Sequence, residues 1–219
     1  MDKADSRQSR IDSYLEIIKK YPSQFKENRY LKIITDPLKM MAFENANNCI
    51  LGLVYQSEYH MMVADLVEDL NGNVFRYERL IAVSPDNAVV IVPIINNKFV
   101  LLHQFRHAIR DMEYSFPRGF GELKMKPEDN ARKELKEELG ADATRIEFVG
   151  QIVANSGICG DHVNVYAAEI NHAVLEKGYE GIKEIEYLTE ADLKQWIKDK
   201  KILDAFTLSA FMLYLETKS

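Results

Sequence analysis

The segment from Pro127 to Gly140 is the clearest helix in the sequence, and it lies between segments that are typical of β-strands. Proline suits the first turn of a helix, and glycine suits the position just after a helix ends. Strand-like segments precede this helix and form two hairpins, one of which turns at Asn71-Gly72. Further strands and helices follow it. This alternation predicts an α/β (α+β) fold, in which a mixed sheet is covered by helices.

Length, charge and composition exclude several classes of protein. The 219 residues fit one domain, or one domain with a small appendage, and the net charge of −6 argues against nucleic-acid or membrane-surface binding. The chain has no apolar run near the roughly 18 residues of a membrane span. Its N-terminus is polar and unlike a secretory signal. The two cysteines, Cys49 and Cys159, form no zinc pattern. We therefore expect a cytoplasmic protein that binds neither nucleic acid nor a membrane.

Three glutamates lie on one face of the predicted helix. Glu134 and Glu138 are four residues apart, and Glu137 is three residues from Glu134. Carboxylates placed so closely repel one another unless a cation lies among them, and Mg²⁺ favours carboxylate, water and phosphate oxygens as ligands. Glu-rich helices are also often solvated surfaces, on which Lys133 and Glu137 would form a routine ion pair. The helix alone leaves both interpretations open.

Residues 119–141 resemble the Nudix box, the signature of the Nudix hydrolase family. The box reads Gly, five residues, Glu, seven residues, then Arg-Glu-apolar-x-Glu-Glu-x-Gly-apolar. Gly119 fits its first position, and its end is matched by Glu134, Leu135, Glu137, Glu138, Gly140 and Ala141. Two positions depart from it, because the first box glutamate is Met125 and the box arginine is Lys133. The resemblance makes Glu134, Glu137 and Glu138 catalytic residues and the principal ligands of Mg²⁺, with Mn²⁺ as an alternative ion.

The flanking segments are similar to those of ADP-ribose and ADP-sugar pyrophosphatases. Residues 101–106 look like the Leu-x-x-Gln-Tyr-Arg strand end of those enzymes, which implies that Arg106 contacts the phosphates or the terminal ribose. Residues 114–119 are similar to their Leu-Glu-Leu-Pro-Ala-Gly segment, with Ser115 in place of the glutamate. The resemblance implies that the main-chain carbonyl of Arg118 helps to bind metal. The substrate-binding residues that it implies are Arg79, Arg106, Arg118 and Gly119.

The catalytic base of these pyrophosphatases is a glutamate in a loop after the box. Residues 180–186 occupy the corresponding place in this chain. Glu180 is the first choice for the base and Glu184 the second, although either could equally be a surface carboxylate. A base must reach the attacking water, which depends on the geometry of the folded chain.

The resemblance also implies a Nudix α/β/α sandwich with N-terminal additions. The predicted parts are a helical extension over 1–49, a small antiparallel sheet over 50–84 that pairs two subunits into a homodimer, and a Nudix hydrolase domain over 85–219. The expected reaction is Mg²⁺-dependent hydrolysis of the pyrophosphate bond of a nucleoside diphosphate derivative, above all ADP-ribose or an ADP-sugar. It gives a nucleoside monophosphate and a phosphorylated product.

Two alternatives to this reaction stay open. The substrate could be another nucleoside diphosphate derivative, such as a dinucleotide or a different nucleotide sugar. The chain could instead be a Nudix-fold ligand sensor with weak or no hydrolysis. The departures at Met125, Lys133 and Ser115 favour a sensor, whereas the three intact box glutamates favour an enzyme.

Overall fold

The computed structural model describes residues 3–175 and 181–218, and the chain divides into two compact units. The first unit comprises Met1–Val83 with Asn155–Gly160, and the second comprises Ser84–Ala154 with Asp161–Ser219. The elements of the first unit are α1 (Lys3–Lys20), a 3-10 helix (Pro22–Phe25), β1 (Leu31–Ile34), α2 (Pro37–Asn47), β2 (Gly52–Gln56), β3 (His60–Asp69) and β4 (Val74–Ala82).

The first unit is built around a four-stranded antiparallel sheet. Strand β3 pairs with β4 and also with β1 and β2. The β3–β4 hairpin turns where the sequence predicts it, because the Asp69 carboxylate accepts hydrogen bonds from the main-chain N–H groups of Asn71 and Asn73 at 2.8 and 2.9 Å. Gly72 follows with φ of +81°, a conformation that glycine adopts without strain. The core between the helices and this sheet includes Ile11, Tyr14, Met40, Leu51, Met61, Val63 and Leu66.

The second unit contains a mixed seven-stranded sheet. Its elements are β5 (Val89–Ile95), β6 (Lys98–Arg106), β7 (Asp111–Ser115), β8 (Arg118–Gly119), α3 (Pro127–Leu139), β9 (Ala143–Ile152), β10 (Val163–Ile170), β11 (Ile182–Leu188), α4 (Glu190–Lys198) and α5 (Ala205–Glu216). The main strand order is β11-β6-β5-β10-β9, while β7 pairs with β6 and β8 pairs with β5. Strands β5 and β10 are parallel, and the other pairs are antiparallel. The predicted mixed sheet is confirmed.

Helices cover both faces of this sheet, because successive side chains of a strand point to opposite faces. Val89 and Ile91 of β5 pack against a cluster that contains Ala131, Leu135 and Leu139 of α3. Val90 and Val92 point the other way, into a cluster that contains Leu193 of α4 and Ala210 and Phe211 of α5. The unit is therefore the α/β/α sandwich that the sequence predicts. Within residues 3–175 and 181–218, no helix is both long and apolar enough to span a membrane.

The central helix α3 has the ends that its sequence predicts. Pro127 occupies the first turn, with Glu128 and Asp129 beside it at the positive end of the helix. Gly140 stops the helix in a left-handed conformation, with φ of +58°, and its N–H bonds back to the carbonyls of Leu135 and Lys136. The helix presents its apolar side to the sheet, which leaves its glutamates on another side.

Candidate active site

Gly119 and Glu134 lie in direct proximity. The short strand β8 pairs with β5, with Gly119 opposite Val89, and α3 packs on the same part of β5 through Ala131 and Leu135. A Cβ atom at position 119 would lie 2.0 Å from Glu134 Oε1, far inside van der Waals contact. Glycine is therefore required at position 119 for the Glu134 carboxylate to occupy this place.

Glu138 is the most deeply buried of the three box glutamates, with 4% of its surface exposed. The main-chain N–H of Arg118 donates a hydrogen bond to Glu138 Oε2 at 3.1 Å. Because a buried carboxylate needs such partners, this bond stabilises Glu138 in its position and orientation. The Arg118-Gly119 strand and the glutamate face of α3 thus form one local structure.

The amino group of Lys133 lies among three carboxylates. Lys133 Nζ is 2.9 Å from Glu137 Oε2, 3.0 Å from Glu122 Oε1 and 3.7 Å from Glu134 Oε1. The hydrogen bond from Lys133 to Glu137, together with the nearby carboxylates of Glu122 and Glu134, holds the pKa of Lys133 above its usual value. The routine Lys133–Glu137 ion pair that the sequence allows is therefore present, but it belongs to a larger acidic cluster.

The side chains around α3 fit a divalent cation in their chemistry. The oxygens of Glu134 and Glu137 already approach one positive charge, and Glu138 lies on the same helix. These are hard oxygen donors, which Mg²⁺ and Mn²⁺ favour. The part of the chain that the structure describes contains no ready-made group of three acidic, His or Cys side chains arranged around a metal position. Since Lys133 lies among the carboxylates, its ammonium group would compete with an ion for oxygens of Glu134 and Glu137.

The guanidinium of Arg118 contacts the start of α5. Arg118 Nη1 lies 2.9 Å from Asp204 Oδ1, and the guanidinium carbon lies 4.6 Å from the centre of the Phe206 ring. Asp204 also caps α5, because its carboxylate accepts a hydrogen bond from the N–H of Thr207 at 2.9 Å. The resemblance found in the sequence implies that Arg118 binds the substrate. In the structure Asp204 competes with any phosphate for it.

Arg106 lies at the end of β6, where the sequence predicts a strand end. Its Nη2 group donates a hydrogen bond to the hydroxyl of Ser115 at 2.9 Å. Ser115 is fully buried on β7, which pairs with β6. Ser115, which stands where the similar segment of ADP-ribose pyrophosphatases has a glutamate, therefore contacts Arg106 through a neutral hydroxyl.

Of the two candidate bases, only Glu184 lies within the residues that the structure describes. Glu180 lies outside the described residues. Glu184 lies on β11, where its Oε1 is 2.7 Å from His103 Nδ1 and 3.1 Å from Lys183 Nζ. The hydrogen bond with His103, followed by that with Lys183, holds the pKa of Glu184 below its usual value. Glu184 is therefore a carboxylate already engaged by two partners.

Arg79 belongs to the first unit, on strand β4. Its Nε and Nη1 groups contact Asp65 Oδ2 at 2.5 Å and the carbonyl of Gln24 at 2.7 Å. Among the described residues its Nη2 atom, although buried, has no hydrogen-bond partner. These residues line a pocket of about 270 Å³ within the first unit, together with Lys26, Leu31, Ile33, Val67, Tyr77 and the segment 156–160.

Two further residues of the site escaped sequence reasoning. Asn130 is fully buried in α3, and its amide donates hydrogen bonds to the carbonyls of Asn87 at 3.1 Å and Phe120 at 2.9 Å. It therefore fixes the loop that follows Gly119. Asp204 is the second, and its place before an apolar helix is a recognisable capping signal. The bond of Asn130 to Asn87, more than forty residues away in the chain, has no such local signal.

Comparison with known proteins agrees with this geometry. Residues 85–206 match the model of the NUDIX domain. The chain is 26% identical over 163 residues to a methanol dehydrogenase activator of Bacillus methanolicus, covering 72% of this chain and 85% of that protein. It is 29% identical over 164 residues to an ADP-ribose pyrophosphatase of Bacillus subtilis (strain 168), covering 71% of this chain and 86% of the relative.

A solved structure shares the fold. It is a crystal structure of an ADP compounds hydrolase, with a TM-score of 0.64 and 22% sequence identity over 75% of this chain and 89% of that chain. The NUDIX model covers more than half of the 219 residues, and it includes the whole Gly119–Ala141 box. This chain belongs to the Nudix hydrolase family.

Proposed function

We propose that this protein hydrolyses the pyrophosphate bond of ADP-ribose or an ADP-sugar, giving AMP and a phosphorylated product. The observation that supports a hydrolytic site is the arrangement of the box glutamates beside the Arg118-Gly119 strand. Glu138 is bonded to the main chain of that strand, and Glu134 occupies the space that the glycine leaves. The B. subtilis relative, an ADP-ribose pyrophosphatase, supports this choice of substrate.

In this proposal, Glu134, Glu137 and Glu138 hold Mg²⁺, or Mn²⁺ in its place, and the main-chain carbonyl of Arg118 adds a further oxygen ligand. A bound divalent ion would neutralise phosphate charge and lower the pKa of a water molecule. Glu134 and Glu138 contribute position as well as charge, because a main-chain hydrogen bond holds Glu138 and close packing against Gly119 restricts Glu134.

Four residues are proposed to bind the substrate. Arg106 and Arg118 bind phosphate or ribose oxygens, and Gly119 contributes main-chain atoms beside the Glu134 carboxylate. Arg79 binds the substrate through donors such as its buried Nη2 group. Glu180 is the proposed base that takes the proton of the attacking water, and Glu184 is the second candidate. For Glu184 to act, it must leave His103 and Lys183.

The organisation of the chain is also a proposal. We divide it into a helical extension over 1–49, a small sheet over 50–84 and a hydrolase domain over 85–219, with the small sheet pairing two copies into a homodimer. Two segments cross these bounds, because β1 of the extension pairs with β3 of the small sheet and residues 155–160 belong to the first compact unit. Exposed apolar residues on the strands of the first unit, such as Tyr55 and Phe75, support a partner surface there. We propose a cytoplasmic location, in keeping with the expectation from sequence.

The test is hydrolysis of a panel of nucleoside diphosphate derivatives with Mg²⁺, with Mn²⁺ and with EDTA, with products separated by chromatography. We expect ADP-ribose to give AMP and ribose 5-phosphate only when metal is present. Glu138→Gln should lower kcat by more than about 100-fold, because even outer contacts of metal ligands commonly contribute 10- to 100-fold. If another nucleotide sugar or a dinucleotide were hydrolysed faster than ADP-ribose, that compound would become the proposed substrate.

A second candidate function is supported by the acidic cluster itself. Lys133 already neutralises Glu137 and lies near Glu134, and the other relative is a methanol dehydrogenase activator. A Nudix-fold protein of this kind could bind a nucleotide without rapid turnover. Retained binding of ADP-ribose by calorimetry, with no product from any member of the panel, would support this sensor and contradict the hydrolase.

A further inference from the structure

Glu122 holds the amino group of Lys133 from outside the helix. It lies in the loop between β8 and α3, and the Lys133 ammonium lies between its carboxylate, at 3.0 Å, and that of Glu137, at 2.9 Å. The Glu122 side chain is 49% exposed, so it lies at the surface of the acidic cluster. Lys133 therefore pairs with two of the proposed metal ligands, Glu134 and Glu137, and with one carboxylate apart from them, that of Glu122.

The ammonium and a metal ion would compete for the same oxygens. Lys133 Nζ lies 2.9 Å from Glu137 and 3.7 Å from Glu134, which are two of the proposed ligands. A divalent cation bound to those oxygens would repel a positive charge that remained at these distances. Lys133 needs another carboxylate to pair with when an ion is present.

The loop before α3 provides such a carboxylate at an unexpected position. Met125, which stands where the box has its first glutamate, cannot pair with a lysine. The N–H of Met125 bonds to the carbonyl of Glu122 at 3.3 Å, so residues 122 and 125 are the two ends of one turn. The carboxylate missing at one end of the turn is thus present at the other end.

We propose that Glu122 is a positioning residue that draws Lys133 away from Glu134 and Glu137, and so makes their carboxylates available to a divalent ion. This inference rests on the proposed function, because it takes these glutamates as metal ligands. Glu122 itself does not bind the ion. It acts through Lys133, and its carboxylate takes the place of the one that the box has at position 125.

The test measures Mn²⁺ binding to the full chain without substrate, from the electron paramagnetic resonance signal of free Mn²⁺. Glu122→Gln should raise the Kd for Mn²⁺ about fivefold or more, the size of a typical coupling between two sites. Glu128→Gln is the matched control, because Glu128 pairs with Arg132 at 3.0 Å on the same helix and should leave the Kd unchanged.

A double-mutant cycle separates positioning from direct ligation. In a Lys133→Met background the competing ammonium is gone, and we expect Glu122→Gln to leave the Kd unchanged there. An equal loss of Mn²⁺ affinity in both backgrounds would show that Glu122 is itself a ligand, and this would overturn the inference. An unchanged Kd in the Glu122→Gln single variant would also overturn it. An unmodified chain that binds no Mn²⁺ would overturn the proposed function as well, so the two failures are distinguishable.

Discussion

Gly119 leaves no room for a side chain, because a Cβ atom there would lie 2.0 Å from Glu134 Oε1. We therefore expect Gly119→Ala to displace the Glu134 carboxylate or the β8 strand. Mn²⁺ binding should weaken and kcat/KM should fall by about 10- to 100-fold, as for other losses of support around a metal ligand. Calorimetry and steady-state kinetics measure these two effects. Leu123→Ala is the control, since Leu123 lies in the following loop with its side chain exposed. Unchanged Mn²⁺ affinity in Gly119→Ala would contradict the role of this close approach.

Arg118 has an ion-pair partner and a proposed substrate role, and two variants distinguish them. The Arg118–Asp204 pair is mostly buried, with 26% and 10% of the side chains exposed, so Arg118→Ala and Asp204→Asn should each lower stability by about 1–2 kcal/mol. Thermal unfolding measures this loss, and the two effects should be less than additive in the double variant.

The kinetics of the same variants test the substrate role of Arg118. If the guanidinium also binds phosphate, Arg118→Ala should raise KM for ADP-ribose about tenfold, the equivalent of 1.4 kcal/mol. Asp204→Asn, which leaves the guanidinium in place, should not. Equal KM values for both variants and the unmodified enzyme would show that Arg118 is only a structural link to α5.

Helix α3 and its glutamate face could be predicted because their signals are local. Pro127 and Gly140 mark the two ends of the helix, and spacings of three and four residues fix which carboxylates share a side. Strand β7 escaped prediction, since Asp111 and Glu113 make its sequence polar. Glu113 is nevertheless buried, and it accepts the main-chain N–H groups of residues 203 and 204 at 2.9 and 3.2 Å. A contact over ninety residues cannot be read from a local pattern.

The segment 155–160 shows the same limitation. Tyr77 donates a hydrogen bond to the carbonyl of Gly157 at 2.8 Å, and the N–H of Leu80 donates to the carbonyl of Ile158 at 2.8 Å. These bonds join the segment to strand β4 and so to the first unit, although it follows β9 of the second unit in the sequence. Such main-chain pairing depends on the path of the whole chain and not on residue type.

Glu184 should make stability depend on pH in a defined direction. Its pKa is lowered in the folded protein, mainly by His103, so its charged form stabilises the fold above the unfolded pKa of about 4.3. That stabilisation is lost as the pH falls through the lowered pKa. We expect Glu184→Gln to lower Tm by about 2 °C at pH 6, with the difference from the unmodified protein vanishing towards pH 3. Calorimetric scans over this range measure the difference.

Two controls belong to the Glu184 experiment. In a His103→Gln background the substitution should lose most of its effect, because the principal partner is absent. The kcat values of Glu184→Gln and Glu180→Gln then distinguish a structural role from a catalytic one. Only loss of the catalytic base should lower kcat by about 100-fold or more. A large loss of kcat in Glu184→Gln, with kcat retained in Glu180→Gln, would exchange the roles of the two residues.

The proposed homodimer should depend on the sheet of the first unit. Tyr55 on β2 and Phe75 on β4 are exposed apolar side chains, which a partner subunit would shield from water. We expect light scattering after size-exclusion chromatography to give twice the 25.3 kDa mass of one chain. Tyr55→Asp combined with Phe75→Asp should shift this mass to that of a monomer, because charges in an apolar interface cannot be solvated. Phe148→Asp on β9, an exposed aromatic of the second unit, is the control and should remain a dimer. A monomeric unmodified protein, or dissociation of the Phe148→Asp variant alone, would contradict pairing through the small sheet.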